Sequence, residues 1–208
     1  MINVELQKRI LSSIILIPLV VSLILLGSYY LIFFTTICFF VSLYEWNKIV
    51  TKIQLKFLGA LILFFSFFSF YKISTSDLWF FVLLICISTD IGGYVFGKLL
   101  RGPKLTKISP NKTYSGMLGS YFFSLIVIAV IIYFNSLALN IEWFIVTVAI
   151  STVSQIGDIT ISYFKRLSKV KNTGKLIPGH GGLLDRIDGM IFAFPFYYFI
   201  LSIEFITL

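Results

Sequence analysis

Charge is what this sequence has least of. Only 12% of its 208 residues are charged, against 58% that are apolar, and mean hydropathy is +0.98. A soluble domain runs about 25% charged and about 45–50% apolar, so there is too little polar surface to cover a water-soluble fold. The same shortage excludes disorder, which needs low hydrophobicity. Glycine and proline, at fourteen and five residues, are too few for a collagen-like chain. Two cysteines cannot make a disulfide scaffold; Cys38 and Cys86 lie inside apolar runs, without CxxC spacing, and read as buried packing residues. The chain also lacks a long linker, an obvious repeat and a low-complexity tract, so residues 1–208 are read as one integral membrane domain.

What is present is a series of apolar runs. A spanning helix needs about 20 apolar residues, and seven candidates stand at roughly 10–27, 29–45, 56–71, 78–97, 117–134, 143–164 and 189–206. The runs are continuously apolar rather than alternating, which favours helices over a barrel. The expected fold is all-α, a polytopic transmembrane bundle of about seven spans. No small-residue cleavage site follows the first run, which is expected to stay as an anchor.

The basic residues orient the bundle. Seventeen Lys and Arg against nine Asp and Glu give a net charge of +8. With Lys8 and Arg9 marking a cytoplasmic N-terminus, sixteen of the seventeen cations fall on the cytoplasmic side; Lys72 alone falls outside. Such a split follows the positive-inside rule, supports an odd number of spans and places the C-terminus on the opposite side. It also accounts for the basic surplus without nucleic acid. The two longest polar loops, 98–116 and 165–188, share the cytoplasmic face and are rich in Gly, Pro, Lys and Asn, a composition that tends to carry function.

Acids are scarce enough to inspect singly. Glu5, Asp77, Glu142 and Glu204 lie at ends or on the outer side. Glu45, beside Trp46 at a cytoplasmic helix end, reads as an interfacial anchor. Asp90 and Asp158 stand eight and seven residues before Lys98 and Lys165, roughly 10–12 Å inside the cytoplasmic helix ends at 1.5 Å per residue. A carboxylate at such depth costs about 2.5–3.5 kcal/mol, normally offset by a partner, a cavity or a metal. A simple pair with Lys98 or Lys165 is one way to meet that cost. Asp185 and Asp188, three apart at the mouth of the last span, share a helical face. With Asp158 they could form a cluster of three carboxylates, suited to Mg²⁺ shared with substrate phosphates; a helix start favoured by acids explains the last two but not Asp158.

The run Ser162–Asp188 holds six basic residues, His180 and glycines at 174, 179, 181 and 182. Glycines let backbone N–H groups approach an anion, and Lys and Arg hold phosphates. This suits a nucleoside triphosphate or a lipid phosphate, although a basic juxtamembrane loop can also serve orientation or anionic-lipid contact. His180 fits general acid–base work or a loop hydrogen bond equally well. In the other loop, Ser109, Asn111, Lys112 and Thr113 put donors and one cation just before a helix, with Thr113 or Ser115 as N-cap.

These motifs resemble the CDP-diacylglycerol synthase (phosphatidate cytidylyltransferase) family. Its terminal signature is met in register by Ser162, Phe164, Lys165, Arg166, Lys171, Gly174, Pro178, His180, Gly181, Gly182, Asp185, Arg186 and Asp188. Gly157-Asp158, the Ser109–Thr113 stretch and the stretch from Asp90 through Gly93, Tyr94, Gly97 and Lys98 match as well. The departures are Asn172 where the family usually has Asp, Ser115 where Glu is frequent and Gly189 where Ser is common. The resemblance implies the reaction of CTP with phosphatidate, giving CDP-diacylglycerol and diphosphate in phospholipid biosynthesis, with Mg²⁺ and room for a second cation. It implies catalytic roles for Asp158, Asp185, Lys165, Arg166 and Lys171. Substrate binding would fall to Asp90, Ser109, Asn111, Lys112, Thr113, His180, Gly181, Gly182 and Arg186, and metal to Asp158, Asp185 and Asp188. It further implies a bacterial inner membrane, a site facing the cytoplasm and a homodimer as a plausible assembly. Three other classes remain. A kinase or transferase on another lipid is one; a paralogue without chemistry, which Asn172 would suit, is another. The third is an ion-coupled carrier using Asp90 and Asp158, against which the nearly featureless outer side counts.

Overall fold

In the computed structural model of the protein, residues 14–15, 18–76, 78–106, 109–179 and 181–203 are described. Every extended element among them is helical. Residues 18–26 form α1, followed by α2 (Ser28–Ile49), α3 (Ile53–Ile73), α4 (Leu78–Leu100), α5 (Tyr114–Phe134) and α6 (Ile141–Leu167). A single turn, α7 (Leu184–Ile187), leads into α8 (Met190–Ser202).

Five of these helices, α2 to α6, are long and apolar enough to cross a membrane. They coincide with the expected spans 29–45, 56–71, 78–97, 117–134 and 143–164, each running a few residues further at one or both ends. The last expected span, 189–206, is represented by the 13 residues of α8, shorter than the expected run; residues 204–208 lie outside the described ones, as do 1–13 and 16–17 of the first. The molecule is an all-α, multi-spanning membrane bundle. Its outer surface agrees with that: Phe33, Phe40, Phe57, Leu118 and Phe199 are each at least 60% exposed, an apolar surface suited to hydrocarbon rather than water.

Helices α4 and α5 pack most intimately, and the sequence shows why. A Cβ on Gly92 would stand 2.3 Å from the Gly119 carbonyl oxygen, and one on Gly116 would stand 2.8 Å from that of Gly93. Small residues let the two backbones touch where lipid supplies no hydrophobic drive for association. A second apolar cluster, with Trp46, Ile161, Leu184 and Ile191 among its buried members, joins α2, α6, α7 and α8. Trp46 sets the end of α2: its indole N–H donates to the Leu55 carbonyl at 3.1 Å, and its ring meets Phe164 edge-on at 4.8 Å. The polar ends of α2, α4 and α6 therefore gather on one face of the bundle.

Candidate active site

The connection between α4 and α5 folds back on itself. Leu105 N–H donates to the Lys112 carbonyl at 2.7 Å, Tyr114 N–H to that of Pro103 at 3.1 Å, and Lys112 N–H to that of Ser109 at 3.0 Å. Thr113 is the N-cap of α5, accepting the Gly116 N–H at 3.1 Å, as its position predicts. Ser115 Oγ donates to the Arg101 carbonyl, a bond that an ionised carboxylate at this place could not make.

Asp158, on α6, faces this loop. Lys112 Nζ lies 2.5 Å from its Oδ2, and the Ser162 hydroxyl donates to its Oδ1 at 3.3 Å. Neither of the simple pairs open at the sequence level forms. Lys98 Nζ contacts the Tyr94 hydroxyl at 3.4 Å, and Lys165 turns to Asp185 at 2.8 Å and Asp188 at 4.0 Å. Asp90 and Asp158 lie ten and nine residues before the ends of α4 and α6, about 14–15 Å at 1.5 Å per residue. They are deeper than expected because both helices run on past their first lysine.

The glycine-rich loop departs from expectation in its backbone. Its N–H groups are expected to face an external anion; those of Thr173, Gly182, Leu183 and Leu184 are instead directed at two carboxylates of the protein itself. Asp185 Oδ2 accepts Thr173 N–H at 2.9 Å and Gly182 N–H at 3.0 Å. Gly181 N–H closes a tight turn on the Ile177 carbonyl at 3.1 Å. Glu45 takes the next donors: Leu183 N–H at 3.1 Å, Leu184 N–H at 2.8 Å and the Thr173 hydroxyl at 2.8 Å. Glu45 is 3% exposed, so it is not an interfacial anchor. Sequence reasoning missed its role. The available signal was a lone acid in an apolar helix whose partners stand 128 to 139 residues away.

The polar residues converge on one cavity of about 370 Å³. Asp90, Asp158, Asp185 and Asp188 line it together with Ser109, Asn111, Lys112 and Thr113. Lys165 is buried behind it on Asp185. Arg186, on α7, is not part of the lining. Arg166 and Lys171 are exposed and are not part of the lining. The last turn of α6 points Arg166 outward, where its guanidinium donates to the Val170 carbonyl at 3.4 Å. His180 lies outside the described residues. Asn172 is exposed and outside the lining, so its departure from Asp leaves the carboxylate set of the cavity whole.

Two carboxylates outside the spans are shifted in opposite directions. Burial by itself would raise the pKa of Asp185, but the Lys165 ammonium and the Gly182 and Thr173 N–H groups together hold it below the ordinary carboxyl value. Asp188 is raised well above that value, first by burial and then by the neighbouring Asp158, against the pull of Lys165. Among the described residues no cluster of three or more metal-ligating side chains stands assembled. Mg²⁺ does not require one, since it usually takes one or two carboxylates and completes its shell with phosphates and water. The donor set fits: hard oxygen ligands in one cavity, with Asp188 Oδ2 4.0 Å from the Lys165 ammonium. Asp185 fits less well as a ligand, because its oxygens already take three donors.

Comparison with known proteins agrees with this geometry. The aligned stretch is 44% identical over 118 residues to phosphatidate cytidylyltransferases of Staphylococcus aureus (strain COL), Staphylococcus haemolyticus (strain JCSC1435) and Staphylococcus epidermidis (strain ATCC 12228 / FDA PCI 1200). It covers 55% of this chain and 45% of each relative, so the match spans less than half the length of those proteins. The cytidylyltransferase family pattern extends further, over residues 52–204, from the start of α3 to just beyond α8 and across all four carboxylates of the cavity. With that match over most of its length, the chain belongs to the cytidylyltransferase family.

Proposed function

We propose that this chain transfers a cytidylyl group from CTP to phosphatidate, giving CDP-diacylglycerol and diphosphate. The observation that carries the reading is the single cavity in which four aspartates meet Lys112 and the hydroxyl and amide groups of Ser109, Asn111 and Thr113. A phosphate oxygen of the lipid attacks the α-phosphorus of CTP, the bond from that phosphorus to the bridging oxygen breaks, and diphosphate leaves. The nucleophile is already ionised, so no general base is needed. Repulsion between anions is the main obstacle, and positioning with compensating charge lowers it. Lys112 would meet phosphate at the cavity wall, while Ser109, Asn111 and Thr113 orient the nucleotide. Lys165 would hold Asp185 in place. Asp158 and Asp188, backed by Asp185, would hold Mg²⁺, which supplies Lewis-acid charge to the phosphates when bound. Four carboxylates against one lysine on the lining support that need, since an unaccompanied polyphosphate would be repelled.

The same reading places seven crossings in a bacterial inner membrane, with the N-terminus and the cavity cytoplasmic and the C-terminus outside. The acyl chains of the lipid would remain in the bilayer while its head group enters from the side, which accounts for carboxylates set below the surface. The test is an assay of the purified protein with phosphatidate, labelled CTP and Mg²⁺. CDP-diacylglycerol should form, and Asp158→Asn should greatly reduce its formation with the fold retained. No product under conditions where a staphylococcal relative is active would reject the proposal.

A further inference from the structure

Glu45 lies outside the family-matched residues 52–204 and outside the lining of the 370 Å³ cavity. Its carboxylate is nonetheless buried and fully engaged. It receives the Thr173 hydroxyl and the N–H groups of Leu183 and Leu184, at the two residues immediately before Asp185. Thr173 also gives its own N–H to Asp185. Glu45 and Asp185 thus grip the loop from two sides and share Thr173. The loop sequence is shaped around this grip. A Cβ on Gly174 would stand 2.4 Å from Glu45 Oε1, and one on Gly182 would stand 2.5 Å from Oε2, so any side chain at either place would displace the carboxylate. Two of the loop's glycines therefore answer to an internal carboxyl group.

We propose that Glu45 is a positioning residue: its carboxylate fixes the 173–184 loop on α2 and so sets the place of Asp185 and Asp188 in the cavity. This rests on the cytidylyltransferase reading for its effect on turnover. The physical basis is that a fully satisfied buried hydrogen-bond network rigidifies what it joins. The helix end carrying Glu45 is itself fixed. Trp46 is bonded to Leu55 and packed on Phe164, and the Ser168 hydroxyl donates to the Ile49 carbonyl. The loop is referred through Glu45 to a rigid part of the bundle.

Glu45→Gln tests this, because one acceptor oxygen becomes an amide donor facing donors while size is kept. Purified protein should unfold near the wild-type temperature. Its kcat should fall about 10–100-fold, the range for losing an outer-shell support, with the KM for phosphatidate within about twofold of wild type. Trypsin should also cut after Lys171 and Lys175 several-fold faster, roughly in proportion to the population of opened loop. Thr173→Val, which removes only the hydroxyl, should shift kcat and cleavage in the same direction by less. Wild-type turnover and wild-type cleavage in Glu45→Gln would overturn the proposal. So would a Glu45→Gln protein that fails to fold alongside an unaffected Thr173→Val, since Glu45 would then serve stability alone. If the wild-type protein makes no CDP-diacylglycerol, the reaction reading fails, while the cleavage comparison still decides whether Glu45 holds the loop.

Discussion

Lys112 and Lys165 each pair with an aspartate of the same cavity, yet removing their charges should have unequal consequences. Lys165 is 9% exposed; its ammonium sits 2.8 Å from Asp185 and 4.0 Å from Asp188. Lys165→Met keeps most of the stem's packing and leaves two buried carboxylates without their cation. Breaking a buried pair from one side costs about 3–5 kcal/mol. In the Lys112–Asp158 pair the side chains are 23% and 32% exposed, so water screens the partner left behind, and Lys112→Met should cost about 1 kcal/mol or less. At about 2–4 °C per kcal/mol for a chain of this size, Lys165→Met should lower the unfolding temperature by about 6–20 °C. Lys112→Met should lower it by about 4 °C at most. The measurement is thermal unfolding of the two variants in one detergent, with the double variant Lys165→Met/Asp185→Asn alongside. The double variant should be more stable than the sum of its single losses predicts, because one of the stranded charges is gone. Equal shifts for the two lysines, or strictly additive behaviour of the double variant, would refute the assignment of Lys165 as a buried counter-ion.

Gly182→Ala should lose turnover by at least about tenfold, because its Cβ would fall 2.2 Å from Thr173 Oγ1 and 2.5 Å from Glu45 Oε2; steady-state kinetics on folded protein would show it. Gly92→Ala should separate α4 from α5 and destabilise by about 1–3 kcal/mol, as overpacking does, since its Cβ meets the Gly119 carbonyl oxygen at 2.3 Å; thermal unfolding measures this. Asn172→Asp should change turnover by less than about threefold, roughly the scale of a surface substitution, because residue 172 is exposed and outside the cavity lining; a large gain in the same assay would place it at the reacting groups after all.

The helices were legible because hydrocarbon demands one pattern, a long apolar run with its backbone bonds satisfied internally. All of α2 to α6 announce themselves that way. Asp90, Asp158, Asp185 and Asp188 were legible for the complementary reason: acids are expensive there, so each one carries information. The partners of those acids were not legible. Asp158 could reach Lys165 along its own helix, but Lys112 arrives from the α4–α5 loop, and only the close seam of Gly92, Gly93, Gly116 and Gly119 brings that loop across. The glycines of the 173–182 segment show the same limit. Their composition points equally to a phosphate cradle and to a loop wrapped on a carboxylate, and the deciding residue, Glu45, sits in another helix far back in the chain.

Gly189, one of the departures from the family signature, sits at a close helix contact. It precedes α8 and abuts α6: a Cβ here would stand 2.3 Å from Ser154 Oγ and 3.1 Å from the Ser154 carbonyl oxygen. Ser154 is itself 1% exposed, so its hydroxyl has little room to turn away. The Ser154 hydroxyl of α6 fills the space between the helices. Asp158 and Asp188 lie within four residues of this contact on their respective segments, so the spacing of the helices there fixes the spacing of the two carboxylates. Gly189→Ser alone should overpack the contact and cost about 1–3 kcal/mol, or about 2–12 °C in unfolding temperature, with turnover reduced. Adding Ser154→Gly should remove the clash and recover at least half of both losses, a coupling of the size found between touching residues, about 0.5–3 kcal/mol. If the two substitutions simply add, the missing hydroxyl at 189 is not compensated from Ser154, and the close approach of α6 and α8 is not what sets the two aspartates.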